Sequence, residues 1–175
     1  MEGILTKTQQ GAIAVLRAAT GIVFLTAGLE KLLGAEAFDA AGFLKFGTTG
    51  VPYLGTVAEG VIYNPTHDFW VSLAGNASLM PIINWLVVAG EIAIGVALIL
   101  GLATRFAGAA AVLMMALFYI ANWSFGTGPF NEQFFYGAIA AVLVYTGAGE
   151  HYGVDALVEK LSFVKRHPNL KLVLE

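Results

Sequence analysis

Residues 82–102 read IINWLVVAGEIAIGVALILGL, an apolar run in which Glu91 is the one charged side chain. At a rise of about 1.5 Å per residue, a helix over this run crosses a hydrocarbon core of roughly 30 Å. A carboxylate in the middle of such a helix costs about 2.5–3.5 kcal/mol on insertion scales. The run therefore predicts a transmembrane helix whose carboxylate faces the protein interior, where it is paired or protonated.

The composition of the whole chain agrees with a membrane location. Of its 175 residues, 58% are hydrophobic and 12% are charged, whereas soluble domains average about 45–50% and about 25%. We therefore expect membrane lipids to be its main surroundings, and a single domain over residues 1–175 rather than several.

Three further apolar runs complete an all-α fold, predicted to be a four-transmembrane-helix bundle. The predicted spans cover residues 11–33, 82–102, 106–123 and 132–149. A long outer loop, residues 34–81, joins the first two spans, and its apolar segment 38–46 predicts a short helix lying on the membrane. A connection of this length is usually structured or functional, so we expect it to cap the outer mouth of the bundle.

Basic residues indicate the orientation of the bundle. Lys31 and Lys45 fall on one side of the four-span arrangement. The larger group falls on the other side: Lys7, Arg105, Lys160, Lys165, Arg166 and Lys171. The positive-inside rule then predicts a multi-pass protein of the cell membrane with both termini in the cytoplasm, and makes Arg105 a topology anchor.

The tail, residues 150–175, has apolar residues at helical spacing with basic residues among them. This pattern predicts a C-terminal amphipathic helix. Such a helix can lie on the cytoplasmic leaflet or dock on another subunit, and the pattern is the same in both cases.

Several chemistries are excluded by composition. The chain contains no cysteine, so it has no thiolate nucleophile, no Cys-ligated iron–sulfur cluster and no covalent haem. Its three histidines are scattered, which does not predict a metal centre. A net charge of -3 gives no basic footprint for nucleic acid.

One face of the first span carries two cations with small residues between them. Spacings of three and four residues place its members on the same side of a helix: Arg17, Gly21, Phe24, Gly28 and Lys31. The glycines allow either a neighbouring helix or a flat ligand to approach the backbone closely. The face is therefore read as a packing seam or as a ligand contact.

Arg17 is the expected partner of Glu91, because it is the one cation that falls inside a predicted span rather than at its end, where Lys31 closes the first run. Counted from the cytoplasmic ends of their runs, the two differ in depth by roughly 7 Å, which an arginine side chain can largely span. Tyr119 or Asn122 are alternative hydrogen-bond donors to Glu91. The pair is read as a structural ion pair or as a site that handles a ligand or protons, and the remaining reading of Glu91 is a protonated carboxyl without a role.

Polar residues also gather at the outer turn between the last two spans. Asn122, Trp123, Asn131 and Glu132 lie there, and the outer loop contributes His67 and Asp68. These side chains could line an outer pocket, although solvated loop residues give the same pattern.

Several of the residues singled out above form, with further small and charged residues, an ordered series along the chain. Its members are Arg17, Gly21, Phe24, Gly28, Lys31, Glu91, Gly95, Gly101, Thr104, Arg105, Gly147, Ala148, Gly149 and Asp155. In this order the chain resembles the DoxX family of four-helix membrane proteins. It is most similar to the branch of the DoxD-type subunit of thiosulfate:quinone oxidoreductase. Segment 38–46 and the Asn64-Pro65 turn in a long outer loop fit this branch better than they fit the DoxX proteins with shorter loops.

This resemblance implies a subunit that passes electrons to membrane quinone beside a second subunit. Glu91 would then move protons, and quinone contacts would come from one set of residues: Arg17, Gly21, Phe24, Gly28, Lys31, Tyr119 and Asn122. The outer loop departs from a thiosulfate site, because it carries four acidic residues against Lys45 and so repels a dianion. We therefore expect the anion to bind on the partner subunit, or locally at Lys31.

Two other functions remain open. The glycine faces and amphipathic segments would serve equally as docking surfaces of a non-catalytic accessory subunit in a larger respiratory membrane complex. A small-solute transporter is disfavoured, because the sequence has no evident inverted repeat with broken helices.

Overall fold

The computed structural model describes residues 5–46, 48, 64–123 and 130–159. Within these ranges the regular structure is helical throughout, which confirms the predicted all-α class. In chain order the helices are α1 (Lys7–Leu33), α2 (Ala41–Phe46), α3 (His67–Ala74), α4 (Met80–Leu100), α5 (Thr104–Asn122), α6 (Glu132–Tyr145) and α7 (Asp155–Val158).

Three of the described helices, α1, α4 and α5, are long and apolar enough to cross a membrane. They agree with the predicted spans to within a few residues. Helix α6 is apolar but has 14 residues, about 21 Å at helical rise. It begins at the predicted residue 132 but ends before 149, because the chain turns after Tyr145 and Gly147 takes a positive φ of 59°.

Helix α1 begins earlier than its apolar run because its start is capped. The Thr6 hydroxyl accepts a hydrogen bond from the Gln9 backbone N–H at 3.3 Å. In return, the Gln9 side-chain oxygen accepts from the Thr6 N–H at 2.8 Å. This reciprocal capping box satisfies two donors that a helix start leaves free, and it extends α1 to 27 residues.

The transmembrane helices pack in two pairs, α1 on α4 and α5 on α6, with α4 and α5 joining the pairs. In the first pair the backbones nearly touch. A Cβ built on Gly21 would lie 2.8 Å from the Gly95 carbonyl oxygen, which no real side chain allows. The glycine face of α1 is therefore a helix-packing seam.

An apolar core fills the space between the two pairs. Its buried members come from all four helices: Phe24, Ile94, Leu98, Ala107, Ala111, Met115 and Ala140. Many large apolar side chains instead point outward, such as Leu113, 63% exposed, and Ile82, 54% exposed. An outward apolar surface around a packed core is typical of a protein surrounded by lipid.

Helices α2 and α3 lie in the segment between α1 and α4 and pack on one end of the bundle. We call the described residues of this segment the cap. Their buried residues meet the first residue of α4 and the end of α5: Ala40, Leu44, Trp70, Ala74, Met80 and Ala121. We call this the cap end, and the opposite end, where α4 turns into α5, the turn end.

Two asparagines join the cap to the bundle. The Asn64 amide donates to the Ala121 carbonyl at 2.6 Å, one of the carbonyls that the end of α5 leaves free. Asn84 of α4 accepts from the Ala40 N–H at 2.9 Å and donates to Asp39 at 3.2 Å. Hydrogen bonds from the Ala41 N–H and from Asn84 hold the pKa of the Asp39 carboxyl below its ordinary value.

The predicted C-terminal amphipathic helix falls largely outside the described residues. Helix α7 has four residues, and residues 160–175 are not described. The two readings of the tail therefore stay predictions.

Candidate functional site

Glu91 lies on the inner face of α4 and is 3% exposed, as expected for a carboxylate within a span. Its Oε1 accepts a hydrogen bond from Lys31 Nζ at 3.0 Å. Nζ also lies 2.9 Å from Oε2, so the ammonium is paired with both carboxylate oxygens. The Lys31 ammonium thus compensates the charge of a carboxylate that also lines a cavity of the bundle.

The predicted pairing of Glu91 with Arg17 is wrong. The Arg17 guanidinium instead donates to the backbone carbonyls that follow α6, those of Ala148, His151 and Tyr152. Its two longer hydrogen bonds measure 3.1 and 3.3 Å.

The axial register of α1 on α4 explains this correction. The antiparallel pair sets Gly28 against Glu91 and Arg17 against Gly101. Ten residues of α4 separate these two levels, about 15 Å at helical rise, rather than the roughly 7 Å inferred from sequence. The offset of roughly 7 Å assumes that the two apolar runs end at the same level in the membrane. In the structure α1 extends well past the end of α4, so Arg17 lies level with the turn end.

Around Arg17 the turn end is closed by a second carboxylate. Asp155 is fully buried and accepts from the backbone N–H groups of Ala103 at 2.7 Å and Thr104 at 2.9 Å. It therefore caps the start of α5 and attracts Arg17 electrostatically. We call Arg17, Gly101, Thr104, Gly149 and Asp155 the turn-end cluster, and four of its members come from the latter half of the motif series.

Glycines in the turn-end cluster are required by space and by backbone shape. Gly101 has a φ of 66°, and a Cβ there would lie 2.7 Å from the Arg17 guanidinium carbon. A Cβ on Gly149 would collide with the Asp155 carboxylate and lie 2.6 Å from the Thr104 hydroxyl. The cluster thus joins the middle of α1 to the end of α4, the start of α5 and the turn after α6, and its geometry is that of a structural clasp.

A cavity of about 250 Å³ opens beside Glu91 in the half of the bundle nearer the cap end. Its walls come from α1, α4, α5 and α6: Val23, Phe24, Ala27, Glu91, Met115, Phe118, Glu132, Gln133 and Tyr136. The α1 and α5 walls are apolar, whereas α4 and the start of α6 supply the polar groups. We call this cavity the Glu91 pocket.

The start of α6 is fixed by its cap. The Asn131 side chain accepts from the Phe134 N–H at 3.0 Å, which satisfies a free donor of the helix start. Glu132, Gln133 and Tyr136 then fall on one helical face by their spacing, and that face borders the Glu91 pocket.

Apart from Arg17, the residues expected at the site lie at the Glu91 pocket, in the α1–α4 seam or near the start of α6. Phe24 and Glu91 line the Glu91 pocket, whereas Gly21 and Gly28 are closed into the α1–α4 seam. Lys31 reaches the pocket through its pairing with Glu91. The ring centroids of Tyr119 and Phe134 are 6.3 Å apart, and the Asn122 amide donates to the Gln133 side-chain oxygen at 3.3 Å.

The outer-pocket hypothesis identified part of this site. Glu132 lines the pocket, but buried His67 lies in the cap, with its Nδ1 at 2.8 Å from the Thr48 hydroxyl. Gln133 and Tyr136 were missed, although Tyr136 follows Glu132 by four residues, a spacing that indicates a shared helical face.

The Glu91 pocket suits a small, flat, neutral ligand with a polar edge. Its volume accommodates one substituted ring rather than a drug-sized molecule, and Phe24 and Phe118 offer apolar surfaces. The Gln133 and Tyr136 side chains can donate hydrogen bonds to ring oxygens, as can the Glu91 carboxyl when it holds a proton. Among the described residues there is no group of three acidic, histidine or cysteine side chains that could hold a metal ion.

Comparison with known proteins gives one family. The family model described as "TQO small subunit DoxD" matches residues 13–174, nearly the whole chain. No curated protein and no solved structure matches the chain.

Proposed function

The chain belongs to the DoxD family, described as the small subunit of TQO, thiosulfate:quinone oxidoreductase, and on that premise we propose that it is the quinone-reacting membrane subunit of such a complex. "Small subunit" implies a partner chain, which would complete the enzyme. Within the proposed single domain, the Glu91 pocket would bind the quinone head group.

One observation carries this proposal: a buried carboxylate, paired with a lysine, borders an apolar cavity of ring size. Quinone, when bound, accepts two electrons and two protons. Phe24 and Phe118 would hold its ring by apolar contact, and the Tyr136 hydroxyl or the Gln133 amide would donate to one carbonyl oxygen. Glu91 would hold or give a proton at the other, as a carboxyl within hydrogen-bond reach does.

Charge argues that thiosulfate reacts elsewhere. The pocket contains Glu91 and Glu132, and Lys31, the one cation beside it among the described residues, is already paired with Glu91. A dianion entering this cavity would meet net negative charge in a medium that screens it poorly. This supports the partner subunit as the thiosulfate site, and it weakens the alternative that Lys31 binds the anion.

The membrane orientation is part of the proposal. The basic residues 7 and 105 lie at the turn end, as does the start of the tail. The positive-inside rule then assigns both termini and the turn end to the cytoplasm, and the cap to the outer face of the cell membrane.

A protection experiment tests the quinone site. The complex would be purified with its partner in mild detergent and treated with a hydrophobic carbodiimide, which reacts with protonated carboxyl groups in apolar surroundings. We expect Glu91 to be labelled, a short-chain quinone to reduce that labelling at least tenfold, and thiosulfate to reduce the same quinone. Glu91→Gln should slow this reduction about 100-fold.

Glu30→Gln is the matched control, because Glu30 is exposed on the same helix as Lys31 and is outside the pocket. It should keep the parent's activity. Quinone reduction that survives Glu91→Gln, with no protection of Glu91 in the parent, would overturn the site. That result would favour the accessory-subunit function instead.

A further inference from the structure

We infer that the Lys31–Glu91 pair is the proton route of the Glu91 pocket, and that this route opens to the cap end of the membrane alone. The inference rests on the proposed quinone function and deepens it. Protons consumed when quinone is reduced would thus be taken from one defined side.

The pair leads from the pocket toward water at the cap end. Lys31 is the third residue from the end of α1, and its side chain is 27% exposed, against 4% for Glu91. Its Nζ also donates to the Ala27 carbonyl at 3.3 Å and lies 5.7 Å from the Phe38 ring centre. Phe38 belongs to the segment that leads into the cap, so the partly exposed Lys31 side chain lies at the cap end.

The other titratable groups that face Glu91 are at the same end. Across the pocket, α6 presents Glu132 and Tyr136 in its first two turns, and Glu132 is exposed. Helix α5 presents Met115 and Phe118, which do not titrate. Every described group that could exchange a proton with Glu91 is therefore reached from the cap end.

Toward the turn end, a fully packed apolar layer separates the pocket from the turn-end cluster. Its members are nearly or completely buried: Ile94, Leu98, Ala107, Ala111, Ala140 and Leu143. On α1, the Thr20 hydroxyl at this level donates to its own helix, to the Leu16 carbonyl at 2.8 Å. Proton transfer needs a partner within hydrogen-bond reach, and across about 15 Å this layer offers none among the described residues.

The turn-end cluster does not extend the route. The Arg17 hydrogen bonds go to carbonyls of the loop after α6, and the Asp155 oxygens are taken by the start of α5. These two charges face each other at the turn end and have no described contact with Glu91.

The proton balance is simple. Two thiosulfate dianions that join through a new sulfur–sulfur bond release two electrons and no proton, on the partner subunit. Reduction of one quinone to quinol takes up these two electrons and two protons. Each proton passes from cap-end water to the Lys31–Glu91 pair, and from Glu91 to a ring oxygen. The pair returns each time to ammonium and carboxylate.

The route is tested in proteoliposomes that contain the complete complex in one orientation, with the pH set separately on each side. Carbodiimide labelling of Glu91 reports its protonation without turnover. We expect labelling to rise when the cap-side pH is lowered and to stay constant when the turn-side pH is lowered. Labelling that follows the turn-side pH would overturn the route.

Turnover provides the second readout. With thiosulfate and a short-chain quinone, impermeant pH dyes should record two protons lost from the cap side per quinone reduced. Lys31→Met should slow reduction about tenfold and raise labelling of Glu91 at neutral pH, because the carboxylate loses its cation. Lys45→Met, at an exposed cap lysine, should change neither readout.

The outcomes separate the two proposals. If the parent complex reduces quinone but takes its protons from the turn side, the route is overturned while the quinone function stands. If the parent shows no thiosulfate-dependent quinone reduction and no protection of Glu91, the proposed function fails and the route fails with it.

Discussion

At the scale of single residues, each buried charge is satisfied at its own end of the bundle. Glu91 is paired with Lys31 at 2.9 Å, and Arg17 is surrounded by carbonyl oxygens near Asp155. A buried charge without a partner is strongly destabilising. The difference between them is that the turn-end charges are closed in by backbone, whereas Glu91 borders a cavity.

The turn-end cluster predicts a stability effect at Asp155. In Asp155→Asn, one of the two acceptor oxygens becomes an amide donor facing a backbone N–H, and Arg17 loses its nearby negative charge. We expect the free energy of unfolding to fall by about 2–3 kcal/mol, measured as a lower midpoint of thermal unfolding in detergent. Asp68→Asn, at an exposed position of α3, is the control, and equal midpoints for the two variants would contradict the clasp.

At the scale of helices, the α1–α4 seam positions the ion pair. Gly28 and Glu91 lie against each other, and a Cβ on Gly28 would be 3.0 Å from the Glu91 Cβ. The close approach allowed by glycine therefore brings the last turn of α1 near enough for Lys31 to reach the carboxylate. The same face that was read as a ligand contact acts on the site indirectly, by setting the distance between two helices.

Gly28→Val tests this dependence. The added side chain would meet the Ile92 backbone nitrogen at 2.9 Å, so α1 and α4 must separate. We expect a loss of about 1–3 kcal/mol in unfolding free energy, together with slower quinone reduction and weaker protection of Glu91, because the pair is pulled apart. In Gly11→Ala, nothing lies within 4 Å of the new Cβ. That control should retain activity, and a Gly28→Val protein that behaves like it would contradict the seam.

At the scale of the whole molecule, the two ends of the bundle differ in chemistry. The cap end holds the Glu91 pocket and its polar lining, while the turn end is sealed by hydrogen bonds and apolar packing. A protein whose two ends differ in this way can exchange protons with one side of a membrane and keep the other side closed. The direction of that exchange depends on the orientation of the chain.

The absence of cysteine makes the orientation directly measurable. Asp68→Cys places one thiol on the exposed surface of the cap, and Glu150→Cys places one at the exposed turn end. With an impermeant maleimide on intact cells, we expect Asp68→Cys to react and Glu150→Cys to react after permeabilisation alone. The reverse pattern would invert the orientation, and proton uptake would then be from the cytoplasm.

Local composition and helical periodicity were sufficient to predict the helical class, the three long spans, the start of α6 and the inward position of Glu91. Each of these depends on neighbours within a few turns of one helix, because length, polarity and side-chain direction are properties of the segment itself. The order of small and charged residues was also sufficient to indicate the family.

The partner of Glu91, the role of Arg17 and the Glu91 pocket depended on the tertiary structure. All three follow from the axial register of antiparallel helices, where a shift of one residue moves a side chain by about 1.5 Å. Hydrophobic runs mark their ends too loosely to define that register. Close glycine contacts between α1 and α4 define it, and they bring Lys31, rather than Arg17, to the carboxylate.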